Sequence, residues 1–292
     1  MRLVYLALTL AALGLVGWGV VQYVQSLPAD VPEVVEEILE PGPEPEPYYT
    51  TAVIGQSVQG REIVVQKYGR GDTELLFVGG IHGGYEWNSV LLAKEMSSYF
   101  ATNPRAVPED LTIAIIPNLN PDGYALAVDE NELVLDVENR LAEGRFNANG
   151  VDLNRNFDCK WAPESTWRGN VVSAGTGPFS EPEAVALRDY VLANNPAAVT
   201  FWHSQANNVY ASECETGPLP ETLEIMNLYA TAADYGAVAS FDAYPVTGDA
   251  EGWLASVGIP AITVELKSYQ STEWNQNIAG VGALMEYYDS KQ

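Results

Sequence analysis

Histidine is almost absent from this chain: His82 and His203 are the only two among 292 residues. Any metal site built on imidazole must use them, so few alternative ligand sets exist. Cysteine is equally scarce. Cys159 and Cys214 alone cannot make a structural zinc site, which leaves one disulfide or two buried thiols. Basic residues are few, 14 Lys and Arg against 39 Asp and Glu, for a net charge of −25. That balance argues against nucleic acid and anionic membrane surfaces as partners. It is compatible with a solvating acidic surface or with attraction of cationic substrates.

One apolar run stands out, Leu3 to Val21, interrupted only by Thr9. At ~1.5 Å per residue it is about long enough to cross a bilayer's hydrocarbon core. Residues 1–25 therefore read as a signal anchor or signal peptide, with the membrane segment at about 3–21. Leu27-Pro28-Ala29 is a poor cleavage site, which favours an uncleaved anchor over secretion after cleavage. With Arg2 retained inside, the remainder would be extracytoplasmic, a setting that favours the disulfide. Residues 26–47 form a linker in which Pro41 to Pro47 alternates proline with glutamate or glycine. Such a stalk is extended, solvated and too short to be a folded pro-domain.

Residues 48–292 read as one α/β domain. Glu62–Tyr68, Glu74–Val78, Leu111–Pro117, Ala198–Trp202 and Ala261–Glu265 are short β-rich apolar runs. Helical stretches lie between them at about Asn88–Phe100, Glu181–Asn195, Glu221–Tyr235 and Asn275–Tyr288. Ser180 and Glu183 around Pro182 predict a capping box at the second helix. The alternation implies a central mixed, largely parallel sheet flanked by helices, with any ligand site beyond the carboxyl ends of its strands.

Chemistry-bearing residues collect at those ends. Leu75–Val78 runs through Gly79-Gly80-Ile81 into His82 and then Glu86; Val199–Trp202 runs into His203; Ile262–Val264 ends in Glu265. Two His and one Glu, with a fourth position for water, is a known catalytic zinc set, and a free carboxylate can take that water's proton.

These residues, with three further motifs, resemble the zinc metallocarboxypeptidases of the pancreatic type, peptidase family M14. The motifs are Ile54-Gly55-Gln56-Ser57-Val58-Gln59-Gly60-Arg61, Asn120-Pro121-Asp122-Gly123 and Gly150-Val151-Asp152-Leu153-Asn154-Arg155-Asn156-Phe157. The resemblance covers about Tyr49 to Tyr288. It implies one Zn2+ held by His82, Glu86 and His203, with Glu265 as general base. It implies Arg145 as the guanidinium that polarises the scissile carbonyl. It implies Asn154 and Arg155 as the grip on the substrate's terminal carboxylate, Asp152 as the carboxylate orienting His82, and Tyr244 as a mobile cover. The expected partner is a peptide with a free C-terminal carboxylate, met by a monomeric catalytic domain.

One departure matters. The family's spacing is His-x-x-Glu, whereas His82-Gly83-Gly84-Tyr85-Glu86 has one extra residue. The two glycines can absorb it by adopting dihedrals closed to other residues. A basic residue that some relatives place just before the ligand Glu is absent too. Aligned on Tyr244, Gly248 and Trp253, the resemblance implies that Asp249 and Glu251 lie on the loop lining the terminal side-chain pocket, with Glu251 where an acidic residue accompanies a preference for C-terminal Lys or Arg. Cys159 follows Arg155 and Cys214 follows His203, so a disulfide between these loops would stiffen the rim. Rival readings are a cell-wall muropeptide peptidase of the same family, a non-peptide deacylase, and a membrane-tethered peptide-binding protein.

Overall fold

Apolar runs four to eight residues long, bounded by glycine, proline and asparagine, become the strands of one eight-stranded sheet in the computed structural model. The structure describes residues 18, 21–23, 25, 48–128 and 142–291. The chain divides into two units, Met1–Pro45 and Glu46–Gln292. In the first, Trp18, Val21, Gln22, Tyr23 and Gln25 are helical. The rest of the segment read as a membrane span, and the linker to residue 47, lie outside the described residues. Among the described residues no helix is long and apolar enough to cross a membrane.

In the second unit the strands are β1 (Tyr49–Gln56), β2 (Glu62–Gly69), β3 (Thr73–Val78), β4 (Leu111–Ile116), β7 (Ala198–Ser204), β8 (Asn208–Ala211), β11 (Gly236–Val238) and β12 (Ala261–Leu266). Their order is β1-β2-β4-β3-β7-β12-β8-β11. The four central strands, β4, β3, β7 and β12, run parallel; β2 and β8 join them antiparallel on either side, with β1 antiparallel to β2 and β11 parallel to β8. Two short hairpins, β5 (Glu164–Trp167) with β6 (Asn170–Ser173) and β9 (Glu213–Cys214) with β10 (Gly217–Pro218), stand apart.

The period-two alternation of the strands gives the sheet two apolar faces. Leu75, Phe77, Ile113 and Ile115 pack with helices α1 (Trp87–Thr102), α4 (Pro220–Ala233) and α6 (Trp274–Asp289). Leu76, Val78, Ala114 and Ile116 point to the other face, against α3 (Pro182–Asn194) and α5 (Ala250–Ser256). A single short helix, α2 (Pro121–Tyr124), follows β4. Helices on both faces of a mixed sheet match the expected fold class.

The capping box does not form. The N-cap of α3 is Glu181, with no side-chain cap bond. Ser180 Oγ instead donates to Glu181 Oε1, and Glu183 accepts from Val58 N at 3.0 Å and Asn147 Nδ2 at 3.1 Å. Asn156 Nδ2, which donates to Ser180 Oγ at 2.9 Å, and the distant partners of Glu183 outcompete the local cap. The opening motif has a structural task as well: Ser57 Oγ, Gln59 N and Arg61 Nη1 all bond the Asp122 carboxylate, at 2.8, 2.9 and 2.5 Å.

Candidate metal centre and active-site cleft

Because β3, β7 and β12 are parallel neighbours, their carboxyl ends meet at one edge of the sheet. His203 and Glu265 are direct register partners on β7 and β12. From β3 the chain passes through a single 3-10 turn, Gly83–Glu86, that returns Glu86 to the edge. Gly83 carries φ +43°, and a Cβ there would stand 2.7 Å from Gly144 O and 2.8 Å from Tyr124 N. The extra residue is thus accommodated by backbone that only glycine fits. Gly83→Ala should cost about 2 kcal/mol, measured as a fall in Tm of roughly 4–8 °C, with weakened metal retention.

His82, Glu86 and His203 are buried, and one ligand atom from each lies within 4.8 Å of the others. Glu86 Oε1 is 2.9 Å from His82 Nδ1, Glu86 Oε2 is 2.9 Å from His203 Nδ1, and the two Nδ1 atoms are 3.2 Å apart. The outer nitrogens face carboxylates. His203 Nε2 is 3.2 Å from Glu251 Oε1, and His82 Nε2 is 3.5 Å from Asp152 Oδ1, beyond a good hydrogen bond. Glu251 holds the His203 ring proton on Nε2, and Asp152 stands beside the Nε2 of His82, so with the rings neutral both Nδ1 lone pairs turn inward, next to Glu86. Two lone pairs and a carboxylate aimed at one point repel unless a cation sits between them, so the donor set fits a divalent metal with N and O ligands.

The surrounding electrostatics agree. Burial pushes the Glu86 carboxyl up, but positive charge on the His82 and His203 rings outweighs it and holds it well below the usual carboxylate range; the pocket thus keeps Glu86 anionic when cationic charge, as ring protons or as a metal in their place, sits beside it. Burial likewise opposes ionisation of Asp152, and Arg145 and Arg155 reverse the effect. Arg145 Nε donates to Asp152 Oδ2 at 2.8 Å, and its Nη1 lies 3.8 Å from Glu86 Oε1. Asp152 therefore ties the guanidinium and a histidine into one unit. Glu265 is different: burial and the nearby Glu86 charge push its carboxyl up to about 7, and its buried Oε2 has no partner.

The site opens into a cleft of about 670 Å3 lined by Arg145, Asn154, Arg155, Tyr244, Asp249, Glu251 and Glu265 among others. Asn154 Oδ1 accepts from Ala250 N at 2.8 Å, which leaves its amide NH2 for a ligand. Arg155 donates to the carbonyls of Asn154 and Thr166, and its Nε is unpartnered. The 244–249 loop is clamped to this segment through Gly248 (φ +71°), whose N and O bond Cys159 O and Phe157 N at 2.7 and 2.9 Å. Tyr244 packs edge-on against Phe241. Cys159 and Cys214 form a disulfide, joining the Arg155 segment to the β9–β10 hairpin.

Two of the expected pocket residues have further partners. Asp249 caps α5 through Gly252 N at 2.7 Å, and burial and the adjacent Glu251 push its carboxyl up to about 6. Glu251 Oε1 is shared between His203 Nε2 and Thr263 Oγ1. The Glu251 contact with a histidine was invisible in sequence, since the two residues are 48 positions apart. Tyr85, Trp167, Arg168 and Tyr269, which also line or back the cleft, were not singled out by any sequence motif.

A family model for zinc carboxypeptidases, Peptidase_M14, matches residues 44–277. The chain belongs to the zinc carboxypeptidase family, whose metal is zinc. It is 31% identical over 223 residues to zinc carboxypeptidase A 1 of Anopheles gambiae, covering 68% of this chain and 50% of that protein. It is 25% identical over 247 residues to γ-D-glutamyl-L-diamino acid endopeptidase 1 of Lysinibacillus sphaericus, covering 76% and 61%. The structure of bovine thrombin-activatable fibrinolysis inhibitor, bound to a tick carboxypeptidase inhibitor, matches the fold with TM-score 0.63 at 20% identity, over 83% of this chain and 88% of that one. The chain spans about half to three fifths of the length of the curated relatives it matches.

Proposed function

We propose that the protein is a zinc-dependent metallocarboxypeptidase that releases the C-terminal residue of peptides. The observation that carries this reading is the convergence of two inward Nδ1 atoms and the Glu86 carboxylate beside an unpartnered Glu265, in the same cleft as Asn154 and Arg155. Zinc held by His82, Glu86 and His203 would polarise the scissile carbonyl and acidify a water. Arg155 and Asn154 grip the terminal carboxylate and set the register of the chain. Arg145, held by Asp152, faces the carbonyl oxygen as negative charge develops there. Glu265 takes the water's proton and returns it to the leaving amine. Tyr244 closes over the bound residue.

A base works in its deprotonated form, so kcat/KM should fall tenfold per pH unit below the apparent pKa of Glu265. Burial and the Glu86 charge push the Glu265 carboxyl up to about 7, and a cation bound nearby would lower it. The acid limb of the profile is therefore expected at or below about pH 7. An acid limb well above that pH would contradict Glu265 as the base.

Asp249 and Glu251 support a cationic terminal residue, and this covers the side-chain amine of a diamino acid as well as lysine or arginine. Similarity to an enzyme named for cutting before diamino acids favours a cell-wall peptide as the second reading. Rates on peptides ending in Lys, Arg, diaminopimelate, Leu and Phe test this. Equal or higher rates for Leu and Phe would sink the basic preference. The apolar run Leu3–Val21 and the disulfide support a domain tethered on the extracytoplasmic side.

A further inference from the structure

A third guanidinium lines the cleft besides Arg145 and Arg155: that of Arg168. In a chain of net charge −25, a cleft arginine would be expected to find a carboxylate, as Arg145 finds Asp152. Among the described residues, the partners of Arg168 are tyrosines instead. Its Nη2 lies 3.4 Å from Tyr269 Oη, which donates to Tyr85 Oη at 2.8 Å. Its guanidinium carbon lies 5.9 and 5.8 Å from the ring centroids of Tyr85 and Trp167. The group is thus held over an aromatic wall with most of its five N–H donors unspent.

The backbone singles out the same residue. Arg168 and Gly169 form the two-residue turn between the paired Trp167 and Asn170, with φ +49° and +81°. Such turns need left-handed backbone at both positions and are ordinarily Asn-Gly or Gly-Gly. Arginine is a poor choice for that conformation, and an outlier of this kind beside a cleft points to function rather than folding.

We propose that Arg168, with the Tyr85 and Tyr269 hydroxyls, binds a second substrate carboxylate, carried by the residue on the amino side of the scissile bond. This rests on the carboxypeptidase reading above. The terminal end of the cleft is walled by Asp249 and Glu251, which repel any anion beyond the one Arg155 holds. Arg168 stands instead over Tyr85, the chain neighbour of the ligand Glu86. A planar guanidinium suits a carboxylate. That carboxylate is either the side chain of an α-linked acidic residue or the free α-carboxylate of a γ-linked glutamyl residue.

Three peptides ending in lysine and differing only in the preceding residue separate these sources: α-linked glutamate, α-linked glutamine and γ-linked glutamate. At least one acidic peptide should be cleaved with kcat/KM about tenfold or more above the glutamine peptide. Arg168→Asn should bring that ratio close to one without lowering Tm, because asparagine suits the turn. A wild-type ratio near one, or a variant that loses activity on all three peptides with the ratio kept, would overturn the proposal. Calorimetric binding of the same peptides to zinc-loaded Glu265→Gln protein gives a second readout. Acid-selective binding lost in the Arg168→Asn background, with no hydrolysis by the wild type, would sink the peptidase reading and keep the Arg168 site. Hydrolysis without acid selectivity in either readout would do the reverse, and absence of both would sink both.

Discussion

Glu265→Gln is expected to lower kcat by about 10^2- to 10^4-fold while one zinc per chain remains bound. The amide is nearly isosteric with the carboxylate and keeps the strand end intact, but it cannot accept the water's proton. Glu265 forms no part of the His82–Glu86–His203 cluster, so metal content should not change. Its position opposite His203 on adjacent parallel strands explains why a carboxylate is held there without a partner. Turnover within a few-fold of wild type would remove Glu265 from the reaction. Loss of zinc along with activity would place it among the ligands instead. Metal analysis beside steady-state rates distinguishes the outcomes.

Glu86→Gln should have an effect of comparable size by another route. Glu86 contacts both ligand imidazoles through separate oxygens and supplies the negative charge of the three-residue set. Its neutral analogue leaves two imidazoles to hold a dication. Zinc should be lost on dialysis, and activity should fall to the background of chelator-treated protein. Added zinc should restore it at most partly. If the extra residue after His82 had displaced Glu86 from the site, the variant would instead bind zinc as the wild type does.

Those two residues also mark how far the sequence could be read. The core strands and the four long helices were legible because their apolar periods are unbroken and their ends are punctuated. Strand β1 was not, because it lies at an open edge and its residues are largely exposed, leaving no alternation to see. Strands β8 and β11 are only four and three residues long. Helix α5 carried no readable period, and Asp249, expected on the pocket loop, both lines the cleft and caps that helix. The metal cluster was legible from the scarcity of histidine and the ends of two strands, with Glu265 at the end of a third. Whether Glu86 could reach it depended on the left-handed backbone at Gly83, which no pattern of residue types reveals. The engagement of Glu251 with His203, and the tyrosine wall beneath Arg168, arise from packing between segments far apart in sequence.

The roles of Arg145 and Asp152 follow from the same packing. Neither would be fixed alone: one buried guanidinium and one fully buried carboxylate are stable there because each neutralises the other. Asp152 also lies beside His82, so the orientation of the proposed ligand and of the arginine proposed to stabilise the oxyanion are coupled through one side chain. Double substitution at 145 and 152 should therefore be far from additive in kcat/KM, a result a double-mutant cycle would read directly.

The most direct test of the central claim is product mass spectrometry with the zinc-loaded full-length protein. The substrate is a peptide ending in lysine, offered both as the free acid and as the C-terminal amide. The account predicts release of a single terminal residue from the free acid, abolished by chelation, with the amide left essentially intact. Cleavage of both forms at equal rates, scission at internal bonds alone, or activity untouched by chelator would contradict it.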